Sequence, residues 1–381
     1  MTSGQESSNL GVPPAPYSEI ESLAGVFHPH AIEVQDFSYY ALVIDVRSRA
    51  EYDDDHIPGA VQLLPPEPEA ASSDSAIAIA IDPMPGEKAA QDENAANALP
   101  EPLAALVAPV KRDQAILLYC GRGGRDSQPL ARALRWRGWT VDVLPGGWIN
   151  YRRWVQAGLE VLPRLVTFRV ISSSLGSEVV RVLNALRELE HQVLDVEGLA
   201  GSRHASLVHS DQAQPSQAWF ESQLLHAIRG LDPRVPVWVG DANPSAGSLV
   251  LPGALLDAMA VAPSAALEIE PLERVRCWRE DEPLLVQEPE AIIEAVMALK
   301  PPPTETLLAT WQQLVAKGLT ELLAPSLLSD YLNPLYAEQA AMRSAGRHAM
   351  PPLVIDSLSS AGLLAAVRAW LTSSASGPAI G

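Results

Sequence analysis

One cysteine, Cys120, stands at the head of a glycine-rich segment and could act as a nucleophile. The segment reads Cys120-Gly121-Arg122-Gly123-Gly124-Arg125. Successive backbone N–H groups in such a loop can converge on one point, and a following helix N-terminus adds partial positive charge. A thiol in this setting is expected to have a depressed pKa and to be partly thiolate at neutral pH. The cradle, with Arg122 and Arg125, would also stabilise a persulfide or an incoming oxyanion.

The charge around Cys120 has the opposite sign to the charge of the whole chain. The 381 residues carry 27 Lys and Arg against 46 Asp and Glu, a formal charge of −19, which argues against a protein that coats nucleic acid. Residues 111–153 nevertheless net +6, which predicts a local anion site. Their basic members are Lys111, Arg112, Arg122, Arg125, Arg132, Arg135, Arg137, Arg152 and Arg153. A structural cysteine beside a solvated basic helix is the alternative, which the strand-to-helix glycine loop disfavours.

Alternating strand and helix patterns must position this loop. Apolar runs at 41–46, 115–119 and 140–144 predict buried strands, and 127–137 predicts a helix. A second set begins near Pro163, with strands at 165–171, 193–196, 235–239 and 266–269 and a helix at 178–190. From Glu288 onward the pattern is mainly helical. The predicted class is α/β with two parallel-sheet domains.

The predicted domain limits follow these patterns. Residues 1–16 read as a tail, 17–163 as the first domain, 164–372 as the second with its helical C-terminal part, and 373–381 as a second tail. Within the first domain, about 62–100 reads as a long insertion, in which 76–81 could form an edge strand. Only two cysteines are present and no apolar run reaches membrane-spanning length, so a cytoplasmic location without a membrane partner is expected.

The first domain resembles a rhodanese. Asp45-Val46-Arg47, then Glu51-Tyr52 and His56-Ile57-Pro58-Gly59-Ala60, are similar to that family's pattern, and Cys120 falls where a rhodanese carries its sulfur-accepting nucleophile. We expect Asp45 and Arg47 to brace the loop by charge-assisted hydrogen bonds, with a plain structural ion pair equally open. His56 is expected to serve the turn rather than proton transfer.

The whole chain resembles a narrower family, the bacterial tRNA 2-selenouridine synthases, which join a rhodanese domain to a P-loop-type domain. The resemblance rests on the cysteine loop, Gly146-Gly147 with Tyr151-Arg152-Arg153, Glu197-Gly198-Leu199-Ala200 with Arg203, Gln214-Pro215-Ser216-Gln217 with Phe220-Glu221, and Asn333-Pro334-Leu335-Tyr336. It implies catalytic roles for Cys120, Arg122, Arg125, Asp45 and Arg47. It also implies a substrate surface made of Gly121, Gly123, Gly124, Arg152, Arg153, Arg203, Gln214, Ser216 and Gln217. The alternative for 214–221 is a helix start capped by Ser216.

The second domain departs from the family pattern at its phosphate loop. A working P-loop ends in Gly-Lys-Ser/Thr, whereas the equivalent degenerate stretch holds Ser172, Gly176, Ser177 and Glu178. We expect Glu178 to face the position of the phosphate, where it would repel it, so phosphate binding is disfavoured. The family's acidic stretch keeps only Asp241, which is expected to cap a turn rather than hold a metal. No metal site is predicted.

The resemblance implies a selenotransferase that replaces sulfur by selenium at the 2-thiouridine wobble position of tRNA. Selenophosphate and geranyl diphosphate are its implied substrates, no cofactor is expected to be firmly bound, and the basic window 111–153 is expected to contact tRNA. A rhodanese-type sulfurtransferase with an inactive second domain is the first alternative, and a non-catalytic tRNA- or protein-binding scaffold is the second. A phosphatase ranks last because the spacing from Cys120 to Arg125 is too short. The nine tryptophans look scattered, without the interleaving of a base-stacking surface.

Overall fold

The computed structural model describes residues 37–63, 99–121, 123–173, 177–201, 214–282 and 284–375. The chain divides into two compact units, with the boundary between Arg153 and Trp154. This boundary falls earlier in the chain than the predicted junction near Pro163. The predicted insertion lies mostly outside the described residues, as do the possible strand at 76–81 and the N-terminal tail.

The first unit is a four-stranded parallel sheet. Its strands are β1 (Leu42–Asp45), β2 (Val61–Gln62), β3 (Ala115–Tyr119) and β4 (Thr140–Val143), in the order β2-β1-β3-β4. Its helices are α1 (Arg49–Asp54), α2 (Glu101–Val107), α3 (Ser127–Trp136) and α4 (Gly147–Val161), which begins in this unit. All five residues of β3 are buried, because helices on both faces cover a central parallel strand. Ile44, Ile116 and Leu118 form its core with Leu130 and Leu134 of α3.

The second unit contains a five-stranded parallel sheet in the order β11-β10-β5-β7-β6. Its strands are β5 (Phe168–Ser172), β6 (Gln192–Leu194), β7 (Val237–Gly240), β10 (Ser264–Ile269) and β11 (Leu353–Ile355), with a small antiparallel hairpin of β8 (Ser245–Ala246) and β9 (Leu249–Val250). The connection after β5 leads to β6 on one side of the sheet, and the connection after β7 leads to β10 on the other side. The carboxyl ends of β5 and β7 therefore flank the topological switch point, where α/β sheets bind ligands.

Helices surround this second sheet and form a separate C-terminal cluster. They are α5 (Ser177–Glu188), α6 (Val196–Leu199), α7 (Gln217–Arg229), α8 (Gly253–Ala260), α9 (Pro271–Asp281), α10 (Leu284–Gln287), α11 (Pro289–Met297), α12 (Glu305–Ala316), α13 (Leu323–Leu327), α14 (Asn333–Ser344) and α15 (Ser360–Ala375). One core joins α5 and α15 to the sheet through Trp238 and Trp370, and a second contains Trp278 and Trp311.

The predicted α/β class is confirmed, since both main sheets are parallel and helices alternate with their strands. Two elements differ from the prediction. Strand β11 interrupts the part predicted to be mainly helical. The predicted tail from residue 373 is wrong in its first residues, because α15 continues to Ala375. Within the described residues, no helix is long and apolar enough to cross a membrane.

Candidate active site

Strand β3 delivers Cys120 to the carboxyl edge of the first sheet. The strand lies between β1 and β4, pairing Ile44 with Leu118 and Leu118 with Val143. Cys120 follows its last residue and is 1% exposed. The carboxyl edge of a parallel sheet is where side chains from several strands converge on a ligand. The fold therefore places the predicted nucleophile at a site suited to catalysis.

The loop between Cys120 and α3 has the backbone shape that the glycines predict. Gly123 and Gly124 have φ values of +51° and +92°, in the region that side-chain-bearing residues rarely adopt. Ser127, the first residue of α3, is fully buried and its hydroxyl donates to the Cys120 sulfur at 3.5 Å. A hydroxyl donor at the start of a helix favours a sulfur anion. Arg122 lies outside the described residues, and Arg125 is exposed.

A second glycine turn supports the cysteine from the end of β4. The Trp148 N–H donates to the Cys120 carbonyl at 2.9 Å. Gly147 has φ +59°, and a Cβ at this position would lie 2.5 Å from the Cys120 carbonyl oxygen. This contact is shorter than any real Cβ allows, so only glycine lets the start of α4 pack this closely. The Gly146-Gly147 pair is thus explained by packing against the cysteine loop.

A buried chain of charges supports the same edge of the sheet. Arg47 bonds both carboxylate oxygens of Asp45, its Nη2 lying 2.6 Å from Oδ2, and donates to the Asp55 carbonyl at 2.5 Å. The guanidinium carbon of Arg47 also lies 3.6 Å from the Trp148 ring centroid. Burial opposes the charge on Arg47, yet the bonds to Asp45 raise its pKa overall. Asp45 and Arg47 thus form a buried pair that fixes the ends of β1 and of the next turn.

Arg152, predicted to bind substrate, has an internal partner. Its Nη1 lies 2.9 Å from Oδ2 of Asp55, a carboxylate that is almost fully buried. This pair joins α4 to the turn after α1, so Arg152 stabilises the site from behind. Its neighbour Arg153 is exposed. Of the two arginines, Arg153 is the more exposed.

The turn that resembles the rhodanese His-Ile-Pro-Gly-Ala pattern is held by aromatic residues. His56 Nδ1 lies 2.8 Å from the Tyr52 carbonyl, and the two rings stack with their centroids 3.9 Å apart. Burial lowers the pKa of His56. The Tyr119 hydroxyl accepts a bond from the Ile57 N–H at 3.2 Å, which ties the turn to β3. The expectation that His56 serves the turn is confirmed.

A carboxylate lies beside Gly121 of the cysteine loop. A Cβ at Gly121 would stand 3.8 Å from Oε1 of Glu51. Glu51 closes the capping box of α1 with Ser48. Burial raises the pKa of Glu51, but bonds from Ser48 and the charge of Arg47 outweigh it and lower the pKa overall. The loop therefore has an ionised acid at its side, which its arginines must offset.

The basic window 111–153 does not form one patch around Cys120. Arg125 lies at the carboxyl edge with the cysteine, since it falls between β3 and α3. Lys111 and Arg112 precede β3, and Arg137 precedes β4, so these three lie at the opposite edge. The interpretation of a single charge focus is therefore corrected.

In the second unit, Glu178 does not face the position of a phosphate. It is 2% exposed, and its Oε1 lies 3.2 Å from Nε of Arg274 on α9. Burial raises the pKa of Glu178 to about 7, against the opposing effect of Arg274. The expectation that Glu178 would repel a phosphate is therefore wrong. Position 178 instead lacks the lysine that would attract a phosphate. Ser172 ends β5 and Ser177 begins α5, while Gly176 lies outside the described residues.

Two arginines that sequence reasoning missed occupy the neighbouring position. Asp241 follows β7, and its N–H donates to the Ile171 carbonyl of β5 at 2.9 Å. Its carboxylate pairs with Arg343 at 2.9 Å and Arg347 at 3.1 Å, rather than capping a turn as expected. No motif marks these arginines, because they lie about a hundred residues further along the chain. Among the described residues, no group of three or more His, Cys, Asp or Glu could hold a metal.

Comparison with known proteins finds a match for each half of the chain. Residues 32–153 match the rhodanese-like domain, and residues 166–289 match the AAA domain of tRNA 2-selenouridine synthase. A tRNA 2-selenouridine synthase of Marinobacter nauticus is 31% identical over 166 residues, 43% of this chain and 44% of the relative. These matches support the assignment of the chain to the tRNA 2-selenouridine synthase family.

Two further tRNA 2-selenouridine synthases match this chain with similar identity and coverage. The synthase of Cronobacter sakazakii is 33% identical over 165 residues, 41% of this chain and 42% of the relative. That of Nitrosomonas europaea is 30% identical over 139 residues, 36% of each chain. The matched part is thus less than half the length of these curated relatives. The family assignment confirms the predicted rhodanese and P-loop-like architecture.

The side chains of the segment 214–217, which resembles the family's Gln-Pro-Ser-Gln run, form hydrogen bonds within the protein. Ser216 caps α7 by accepting from the Trp219 N–H at 2.9 Å, which confirms the capping alternative. The Gln214 amide donates to the carbonyls of Ala200 and Ala246 at 3.0 Å. The Gln217 amide pairs with both backbone groups of Val250 at 2.9 Å. These side chains hold the β8–β9 hairpin, and Arg203 lies outside the described residues.

Proposed function

We propose that this chain is a transferase that exchanges sulfur for selenium at the 2-position of a thiolated wobble uridine in tRNA. Cys120 is the nucleophile that carries the chalcogen. The observation that carries the proposal is the position of Cys120 at the end of a central parallel strand, with the Ser127 hydroxyl 3.5 Å from its sulfur. The relatives named tRNA 2-selenouridine synthase support the choice of substrate.

The proposed roles follow from which groups face the loop. Gly121, Gly123 and Gly124 let the backbone N–H groups turn toward an anion, and Arg125 adds an exposed positive charge. The Asp45–Arg47 pair positions the loop without touching the substrate. Arg122 and Arg203 remain predictions from the family pattern. Selenophosphate and geranyl diphosphate are the proposed small substrates, and both are anions that such a loop would attract.

A second function, rhodanese-type sulfur transfer, is favoured by the inward pairing of Glu178 with Arg274. That pairing leaves residues 172–178 without the lysine that neutralises phosphate in a P-loop. In sulfur transfer, the Cys120 thiolate attacks the outer sulfur of a thiosulfonate such as thiosulfate. The donor S–S bond breaks, sulfite leaves with the electron pair, and Cys120 holds a persulfide. The step balances without an oxidant and does not use the second unit.

Mass spectrometry of tRNA nucleosides tests the proposal. Cells lacking every copy of this activity would be grown with selenium and complemented with the wild-type chain, Cys120→Ala or Cys277→Ala. We expect 2-selenouridine with the wild type and with Cys277→Ala, because Cys277 is fully buried in the core that joins α5 and α15 to the second sheet. We expect none with Cys120→Ala.

The outcomes separate the two functions. Absence of 2-selenouridine in wild-type cells, together with Cys120-dependent transfer from thiosulfate in the purified protein, would replace the first function by the second. Undiminished 2-selenouridine in the Cys120→Ala cells would contradict both, because both assign the chalcogen to this sulfur.

A further inference from the structure

The amino edge of the first sheet presents an exposed tryptophan among basic side chains. Trp136 ends α3 and is 70% exposed. Strand β4 begins soon after it, and β3 begins soon after Lys111 and Arg112. Because β3 and β4 are parallel, these residues share one edge, opposite the edge that carries Cys120. We call this set the amino-edge cluster; it comprises Lys111, Arg112, Arg132, Arg135, Trp136, Arg137 and Trp139.

Contacts between distant residues build the amino-edge cluster. The guanidinium carbon of Arg112 lies 3.1 Å from the Trp139 ring centroid, and its Nη1 donates to the Arg137 carbonyl at 2.6 Å. The guanidinium carbon of Arg137 lies 5.7 Å from the Trp136 ring centroid. Arginines and tryptophans already alternate along residues 135–139, and the fold adds Arg112 to this run. The expectation of scattered tryptophans is corrected at this edge.

The arginines of the amino-edge cluster are held by carbonyl oxygens. Arg135 Nε donates to the Val141 carbonyl at 2.7 Å, and Arg137 Nη1 to the Ala133 carbonyl at 2.8 Å. A carbonyl orders a guanidinium without cancelling its charge. In the described part of the chain, no carboxylate forms an ion pair with Lys111, Arg112 or Arg132. Of the described acids near this edge, Asp113 is exposed, and Asp142 is buried and interacts with Arg135. The cluster has five Lys and Arg side chains, so the edge keeps a basic excess.

The geometry of Trp136 adds a flat apolar face to that charge. Arg132 lies four residues before it, which places both on the same side of α3. A single exposed apolar side chain is ordinary, but an open indole beside cations is the combination that binds unpaired nucleic acid. Cations contact the phosphates, and the ring stacks on a base. An acidic peptide would satisfy the cations but would not use the open ring face.

We propose that the amino-edge cluster binds an unpaired segment of RNA, with a base stacked on Trp136 and phosphates on Lys111, Arg112 and Arg132. The assignment of that RNA to tRNA rests on the proposed function. The ten residues of α3 separate this site from the Cys120 loop by about 14 Å along the helix axis. One RNA molecule lying along α3 would contact both edges. The RNA would then be held at the amino edge and modified at the Cys120 loop.

Fluorescence anisotropy with the full chain tests this site. The probes are a labelled RNA hairpin with an unpaired loop and a blunt duplex of the same length, at one fixed ionic strength. Base–aromatic stacking predicts that Trp136→Ala weakens hairpin binding about five- to hundredfold, with little change for the duplex. Trp136→Phe keeps a ring and should retain most of the affinity. Leu272→Ala, at a side chain 75% exposed, is the matched control and should change neither affinity.

Three results would overturn the site. One is unchanged hairpin affinity in Trp136→Ala, and another is an equal loss in Trp136→Phe. The third is a shift from dimer to monomer in sedimentation without a change in RNA affinity, which would assign the face to a second copy of the chain. If hairpin binding depends on Trp136 but the protein makes no 2-selenouridine, the proposed function is wrong and the RNA site stands. If Trp136→Ala binds the hairpin normally and 2-selenouridine depends on Cys120, the RNA site is wrong and the proposed function stands.

Discussion

Two strand-to-helix junctions occupy comparable places in their sheets but differ in where their charges go. After β3, the buried pairs Asp45–Arg47 and Asp55–Arg152 lie near the loop, and the Ser127 hydroxyl donates to the cysteine sulfur. After β5, Glu178 pairs with Arg274, and Asp241 beside it pairs with Arg343 and Arg347. The first arrangement supports a reactive group, whereas the second uses its charges to stabilise the fold.

Matched arginine substitutions break this comparison with the largest expected effect. Arg47→Met leaves the buried Asp45 carboxylate without its partner, which typically costs about 3–5 kcal/mol. Arg274→Met removes the partner of Glu178 in the same way. We expect both variants to be less stable in urea unfolding, and only Arg47→Met to lose sulfur transfer from thiosulfate per folded molecule. Equal loss of transfer in folded Arg274→Met would show that the second junction takes part in the chemistry.

The pH dependence of stability sharpens the comparison at Glu178. Its pKa is raised from 4.5 to about 7 in the folded protein, so the folded state holds this proton where the unfolded state has released it. The stabilisation is complete below pH 4.5 and is lost as the pH rises through about 7. The shift corresponds to a free energy of unfolding on the order of 3 kcal/mol.

The measurement is urea unfolding of the wild type and Glu178→Gln across that pH range. The wild type should lose stability relative to the variant as the pH rises, because glutamine cannot titrate. Parallel curves would mean that Arg274 keeps Glu178 ionised throughout.

Two glycine substitutions give a smaller effect at the first junction. Gly147→Ala combines a positive φ with a Cβ 2.5 Å from the Cys120 carbonyl oxygen, whereas Gly123→Ala has a positive φ and open space. We expect Gly123→Ala to cost about 1 kcal/mol and Gly147→Ala about 1–3 kcal/mol. Gly147→Ala should also slow sulfur transfer, since the cysteine backbone must shift. Equal stability and equal rates in the two variants would contradict the packing argument.

The sequence was sufficient to predict those structural features that depend on residues close together in the chain. Strand β3, the glycine loop and the Ser216 cap are local patterns, and each lies where predicted. The direction of Glu178 could not be predicted, because its partner Arg274 is far along the chain. Nor could the division of the basic window, since counting charges in a window does not tell which edge of a sheet each residue reaches. The arginine partners of Asp241 were missed for the same reason.

Mass spectrometry of the peptides of this protein tests the central claim that Cys120 carries the chalcogen. The purified chain would be incubated with thiosulfate and then digested without reduction to locate any added sulfur. We predict a persulfide on Cys120 in the wild type and in Cys277→Ala, and none in Cys120→Ala. Sulfur added at Cys277 instead, or tRNA modification that proceeds with Cys120 unmodified and replaceable by alanine, would contradict it.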